Sequence, residues 1–301
     1  LKIVINIVYG LTSAKFENKF KDPRNKDNIV AKRGALFMIS LKHAVEEQGF
    51  SAIHIKTDSI KIPDATPEII NFVMEFGKKY GYTFEHEETY KRFCLVNDAV
   101  YIARVDGWET HKSEELRRNK GWTATGAQFA QTYVFKTLFS HEPIGFQDMF
   151  ETKTVTVGAL YLDMNEKLPE GEHDYCFIGK AGAFCPVRPG CGGGLLLRVN
   201  EDKYYAATGS KGYRWLEAEM IKELSREKDI DRSYYNALVD AAVEDISKFG
   251  DIEWFMSDSD KCGPNNRECG KFDCLGCPSW KNVKDIDGKL ICEAGYECLP
   301  F

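Results

Sequence analysis

With 43% hydrophobic and 29% charged residues in 301, the chain is globular rather than disordered, and long enough for roughly one to three domains. Its formal net charge of −6 weighs against a nucleic-acid partner on charge alone, and ten cysteines without a secretory signal weigh against a disulfide framework. No apolar run reaches the length of a membrane span.

The opening LKIVINIVYG reads as the end of an apolar helix closed by Gly10, and a chain that starts inside a helix is expected to begin further upstream. At about 100° per residue, Lys2, Asn6 and Tyr9 fall within roughly a 60° sector, while Ile3, Val4, Ile5, Ile7 and Val8 fill the remainder. A buried helix turns such a polar stripe towards something polar. A core helix with a snorkelling lysine and a glycine cap fits the same residues.

Residues 15–33 follow as a basic loop, with Lys15, Lys19, Lys21, Arg24, Lys26, Lys32 and Arg33 against three acids, Glu17, Asp22 and Asp27. Such a loop can track a phosphate backbone, and it equally suits a solvated surface. A helix is predicted over 31–48, with Ala35, Ile39 and Leu41 to Val45 inward. SAIHIKTDSIKI (51–62) alternates on both sides of a polar turn and predicts a hairpin with Asp58 at its bend. A helix over about 66–80 comes next. YTFEHEETYKRFCLVNDAVYIARV (82–105) reads as a strand carrying Glu85 and Glu87, a polar link and two further strands. Helices on one face of an antiparallel sheet make this an α+β layer.

Residues 108–121 read as a linker or surface helix, 123–139 as an apolar helix, and 154–210 as irregular β structure rich in glycine. Leu216, Met220 and Leu224 predict one helix, and Tyr235, Leu238, Ala242, Ile246 and Phe249 a second. The last forty residues are rich in Cys, Gly and Pro. There, Cys274-Leu-Gly-Cys277 has the gap that lets two thiolates reach one zinc. A second pair with that gap is missing. A Zn²⁺ site at Cys262, Cys269, Cys274 and Cys277 therefore stays open beside unliganded cysteines and a disulfide.

Lys-x-x-x-Asn-x-x-Tyr-Gly at residues 2–10, Thr57-Asp58-Ser59 on a hairpin some fifty residues later, then Glu85-x-Glu87, Tyr90-Lys91 and an apolar strand ending at Tyr101 form an ordered series. It resembles the family B DNA polymerases, particularly their phage branch, over about residues 1–105. The resemblance implies residues 1–30 as the end of the fingers helix and a basic loop, and 31–105 as an antiparallel palm sheet with helices on one face. It implies 106–160 as a mainly helical thumb, and leaves 161–301 as a mixed, Cys- and Gly-rich extension without assigned role.

The resemblance also implies roles. Lys2 would bind the triphosphate of a dNTP, with Asn6, Tyr9 and Gly10 lining the nascent base pair. Asp58 would be a catalytic ligand of Mg²⁺, of which such enzymes use two ions, and Glu87 an outer-shell group. Lys56, Thr57, Ser59, Lys91 and Tyr101 would face the DNA primer-template. The location implied is the cytoplasm, that of a host cell if phage-encoded, with no membrane partner.

Three departures stand out. The family hairpin reads Asp-Thr-Asp-Ser, and here Lys56 replaces the first Asp. The family's Lys-Lys-Arg-Tyr is Asp98-Ala99-Val100-Tyr101. Its Asp-x-x-Ser-Leu-Tyr-Pro motif, which carries the partner carboxylate, is missing from the 301 residues. The expectation is a polymerase portion inactive by itself. The alternatives are a non-catalytic DNA-binding protein with a zinc-stabilised tail, and a metabolic enzyme domain with coincidental motifs.

Overall fold

The computed structural model describes residues 2–25, 29–201 and 203–257. They fall into two compact units, one formed by residues up to 89 together with 97–99, the other by 90–96 and residues from 100 onward. Both mix helices with antiparallel sheets, an α+β architecture.

The first unit begins with α1 (Lys2–Thr12), which runs through Gly10 instead of stopping there. The helix ends where the Thr12 and Ser13 hydroxyls donate to the Tyr9 carbonyl at 3.1 and 2.6 Å, satisfying an acceptor that the ending helix leaves open. Helix α2 (Ile29–Glu47) buries Met38, Leu41 and Val45. Ala35 and Ile39 lie on its exposed side, because the 38-41-45 spacing, not the predicted one, keeps to a single stripe. The hairpin pairs β1 (His54–Lys56) with β2 (Ser59–Lys61) in its own two-stranded sheet.

Helix α3 (Pro67–Lys79) has the start and stop its sequence encodes. Thr66 caps the Ile69 amide, Pro67 opens the first turn, and Lys78 and Lys79 close the last. The hairpin residues Ile55 and Ile60 pack with α2 and α3 around Met38, Leu41, Val45, Ile69 and Val73.

The predicted strand bearing Glu85 and Glu87 is irregular backbone. Its alternation serves anchoring, not pairing. Tyr82 and Phe84 lie against Phe37, and Phe84 covers Gly77, where any Cβ would strike its ring.

In the second unit β3 (Tyr90–Asn97), β4 (Val100–Val105) and β5 (Trp122–Ala124) form one sheet in that order. The predicted helix over 123–139 is broken up. After β5 come α5 (Ala127–Ala130), α6 (Thr132–Phe135) and a π-helical turn over Lys136–Ser140. The break falls at Gln131, whose extended backbone ends one helix while its side chain caps the Val134 amide of the next. Between β4 and β5 lies α4 (Glu114–Arg118), capped by Ser113.

The glycine-rich region resolves into β6 (Glu151–Thr154), β7 (Ala159–Asp163), β8 (Tyr175–Gly179), β9 (Ala181–Val187), β10 (Leu195–Asn200), β11 (Lys203–Ala206) and β12 (Arg214–Glu217). One sheet has the order β12-β9-β6 and the other β11-β10-β7-β8. Leu216 belongs to β12 and not to a helix. It is held there by pairing with Cys185, so α7 (Ala218–Glu223) begins only after the strand.

Helix α8 (Arg232–Ser247) buries Tyr234, Tyr235, Ala242 and Ile246, and α9 (Ile252–Met256) buries Phe255. Leu238 on α8 touches both cores of this unit, one around Trp215 and Tyr235, the other around Trp122 and Phe139. No helix of the described residues is long and apolar enough to cross a membrane.

Candidate functional site

The residues singled out from the sequence concentrate in the first unit. Helix α1 exposes Asn6 and Tyr9. Its apolar stripe is equally open, with Ile3 74% and Val4 58% exposed. Nothing lies within 4 Å of where a Cβ on Gly10 would stand.

Asp58 stands at the tip of the hairpin, in a two-residue loop with Thr57 between Lys56 and Ser59. Thr57 takes φ of 53°, a left-handed conformation costly for a β-branched residue. An Asp in a tight turn ordinarily bonds its own backbone. Here Ser59 does that, its hydroxyl donating to the Lys56 carbonyl at 3.2 Å. Among the described residues the Asp58 carboxylate engages no donor or cation and faces solvent.

Lys56 reaches sideways, its ammonium donating to the Ala99 carbonyl at 3.2 Å. The 97–99 turn is itself tied by the Ala99 amide donating to the Asn97 side chain at 3.0 Å. His54, on the hairpin strand β1, is buried. Burial holds its imidazole below its ordinary pKa, the charges of Lys56 and Lys61 lower it further, and Asp98 opposes them. The two departures in charge thus meet. Lys56 on the hairpin bonds the turn that carries Asp98. The sequence shows each change, but only the fold shows that they share one neighbourhood.

Glu85 and Glu87 are exposed on the irregular segment. In the second unit, Lys91 is exposed on β3. Tyr101 on β4 stacks on Phe93 at 5.2 Å, its amide donating to the Thr125 hydroxyl at 2.9 Å. The zinc reading at Cys262, Cys269, Cys274 and Cys277 lies outside the described residues. The same unit holds a cleft of about 440 Å³ lined in part by Arg118, Lys136 and Glu142. Its cations are already matched, Arg118 to Glu142 at 3.2 Å and Lys136 to the buried Asp148 at 2.9 Å, so it offers little attraction to an anion.

An Mg²⁺ ion takes near-octahedral oxygen ligands, and even with waters a pair of such ions needs more than one carboxylate. Among the described residues no three His, Cys, Asp or Glu side chains gather as a metal site. Asp58 alone supplies one ligand, not a site for two ions. No model of a known protein family matches the chain, and neither does any curated protein sequence.

Proposed function

We propose that the chain is the C-terminal portion of a template-directed DNA polymerase, which adds nucleotides to a primer 3′-OH as part of a longer polypeptide. The observation that carries this reading is Asp58. It is presented to solvent on a paired hairpin, takes no part in holding the turn, and sits beside a strained Thr57. A carboxylate that is free of structural duty yet held on a paired hairpin is available to a ligand.

The order of elements supports the same reading. A helix with exposed Asn6 and Tyr9 precedes the hairpin, a helix follows it, and Tyr101 comes later on a strand. In this reading Lys2, Asn6, Tyr9 and Gly10 take the dNTP, while Lys56, Thr57, Ser59, Lys91 and Tyr101 serve the primer-template. Glu87 is the outer acid. The palm corresponds to 31–105, the thumb to 106–160, and residues 161–301 are an extension. The remaining metal ligands come from polypeptide upstream of Leu1. The exposed apolar stripe of α1 fits such a setting, since so large an apolar surface calls for a cover.

The test begins with the coding DNA 5′ of Leu1. An open frame carrying Asp-x-x-Ser-Leu-Tyr-Pro is expected. In the complete enzyme, Asp58→Ala should then abolish primer extension while duplex binding survives. Equal extension rates for parent and variant overturn the reading. Salt-sensitive DNA binding with no extension by either protein points instead to a non-catalytic DNA-binding protein.

A further inference from the structure

Tyr175 and Tyr204 belong to the two opposite edge strands of the sheet β11-β10-β7-β8. Three strand spacings separate those edges, about 14 Å in a flat sheet. Along the strands they are offset as well. Tyr175 is in register with Asp163, and Asp163 with Leu195, whereas Tyr204 is in register with Val199, four residues or about 13 Å further on. Yet their rings stack at 4.4 Å and 16°. Two tyrosine side chains close that distance only if the sheet curls tightly and both rings lie on its hollow side. The register shift beside Leu160 and Tyr161, an irregularity that bends strands, supplies part of the curl.

The pairing fixes what else shares the hollow. Leu160, Leu162 and Leu196 point to the opposite face and into the core. Tyr161 and Phe177 lie on the hollow face with Tyr175, packed edge to face at 5.3 to 6.4 Å. His173 stacks on Tyr175 at 4.9 Å and 14°. These rings are not sealed in, since Phe177 is 64% and Tyr204 45% exposed.

Charge is sorted between the faces. Arg198 and Lys203 fall on the far face by register, with Arg198 lying over Tyr205. At the hollow, Asp163 is buried beneath His173, accepting from its Nδ1 at 2.8 Å and from the Asp174 amide at 3.1 Å. Glu172 and Asp174 are exposed beside it. Electron-rich ring faces with carboxylates at the end attract cations, whereas the same carboxylates repel phosphates.

We propose that the aromatic surface over this hollow binds a cationic segment of a partner protein, a lysine- or arginine-bearing peptide whose charged heads lie against the exposed Tyr204 and Phe177 rings beside the carboxylates. The assignment is independent of polymerase activity.

The test titrates the full chain with an octalysine peptide, and separately with decathymidylate, at about 0.15 M salt, where exposed charges are screened beyond about 8 Å. Octalysine should bind, and Phe177→Ala and Tyr204→Ala should each weaken it about tenfold. The charge-neutral pair Glu172→Gln and Asp174→Asn should weaken it too. Phe177→Ala removes a mostly exposed ring, so its unfolding midpoint should stay at that of the parent, which separates lost binding from lost folding. Octalysine affinity unchanged in both aromatic variants reduces the effect to general attraction by an acidic chain and overturns the proposal. So does binding of decathymidylate in preference to octalysine, or of neither.

Discussion

The Lys56 ammonium donates to the carbonyl of Ala99, 43 residues away in sequence, next to Asp98. A cation on the hairpin thereby bonds a turn that carries an anion, and both charges act on His54. Reversing either charge alone should destabilise the first unit, because Lys56→Asp places two carboxylates together and Asp98→Lys two ammonium groups. The double variant should recover part of the loss. Thermal unfolding of all four proteins measures this as a coupling of about 0.5 kcal/mol or more. Strict additivity would show that the two charges do not sense each other.

His54 gives the same region a pH dependence. Burial, then Lys56 and Lys61, hold its folded pKa below the ordinary 6.5. The unfolded chain therefore takes up this proton first as pH falls. Stability from His54 is full above 6.5, declines as pH drops below it, and stops declining once the folded state also protonates. Unfolding midpoints followed downward from neutral pH should fall for the parent. They should fall less for His54→Gln, which cannot titrate.

The α+β class and most elements of the first unit were legible because their signals are local. Thr66, Pro67 and the closing lysines mark α3, and alternating isoleucines mark the hairpin. The second unit was less so. Leu216, Met220 and Leu224 have helical spacing, but Leu216 is taken by pairing with Cys185, a contact 31 positions away that no local pattern records. Gln131 breaks the helix after β5 by capping Val134, a use of a good helix former that its identity alone does not reveal. For the candidate site, Asp58 and Lys56 were visible as residues. That Asp58 is spared from the turn, and that Lys56 meets the Asp98 segment, depends on tertiary placement.

Two glycines should respond oppositely to the same methyl group. Gly10 sits inside α1 with nothing near its missing Cβ, so Gly10→Ala should stabilise the helix by about 0.5–1 kcal/mol. Gly158, with φ of 79°, lies where a Cβ would overlap the Val199 carbonyl oxygen. Gly158→Ala should cost about 2 kcal/mol or more and loosen the start of β7 against β10. Denaturant unfolding with both variants distinguishes the signs.

Buried thiols should resist alkylation. Burial pushes Cys94 up to about 11 and Cys185 up to about 12, so little thiolate exists in either at about pH 8. Cys176 is exposed on β8. Timed iodoacetamide labelling read residue by residue should modify Cys176 in the folded chain, with Cys94 and Cys185 following only on unfolding. Early labelling of Cys185 would contradict its place in the core.

Tyr235 joins the helix α8 to the strand region through one bond. Its hydroxyl donates to the Met149 carbonyl at 2.5 Å, fully enclosed, while its ring stacks on Tyr133 at 5.0 Å. Burial drives its phenol far above the ordinary value, so it remains a donor across the accessible pH range. Tyr235→Phe keeps the ring and its packing but strands the carbonyl. A stranded buried acceptor costs about 1–3 kcal/mol. Tyr235→Leu should cost more, since it adds a cavity and loses the stacking. If the phenylalanine variant unfolds at the parent midpoint, the Met149 carbonyl has found another donor, and α8 is held by its apolar face alone.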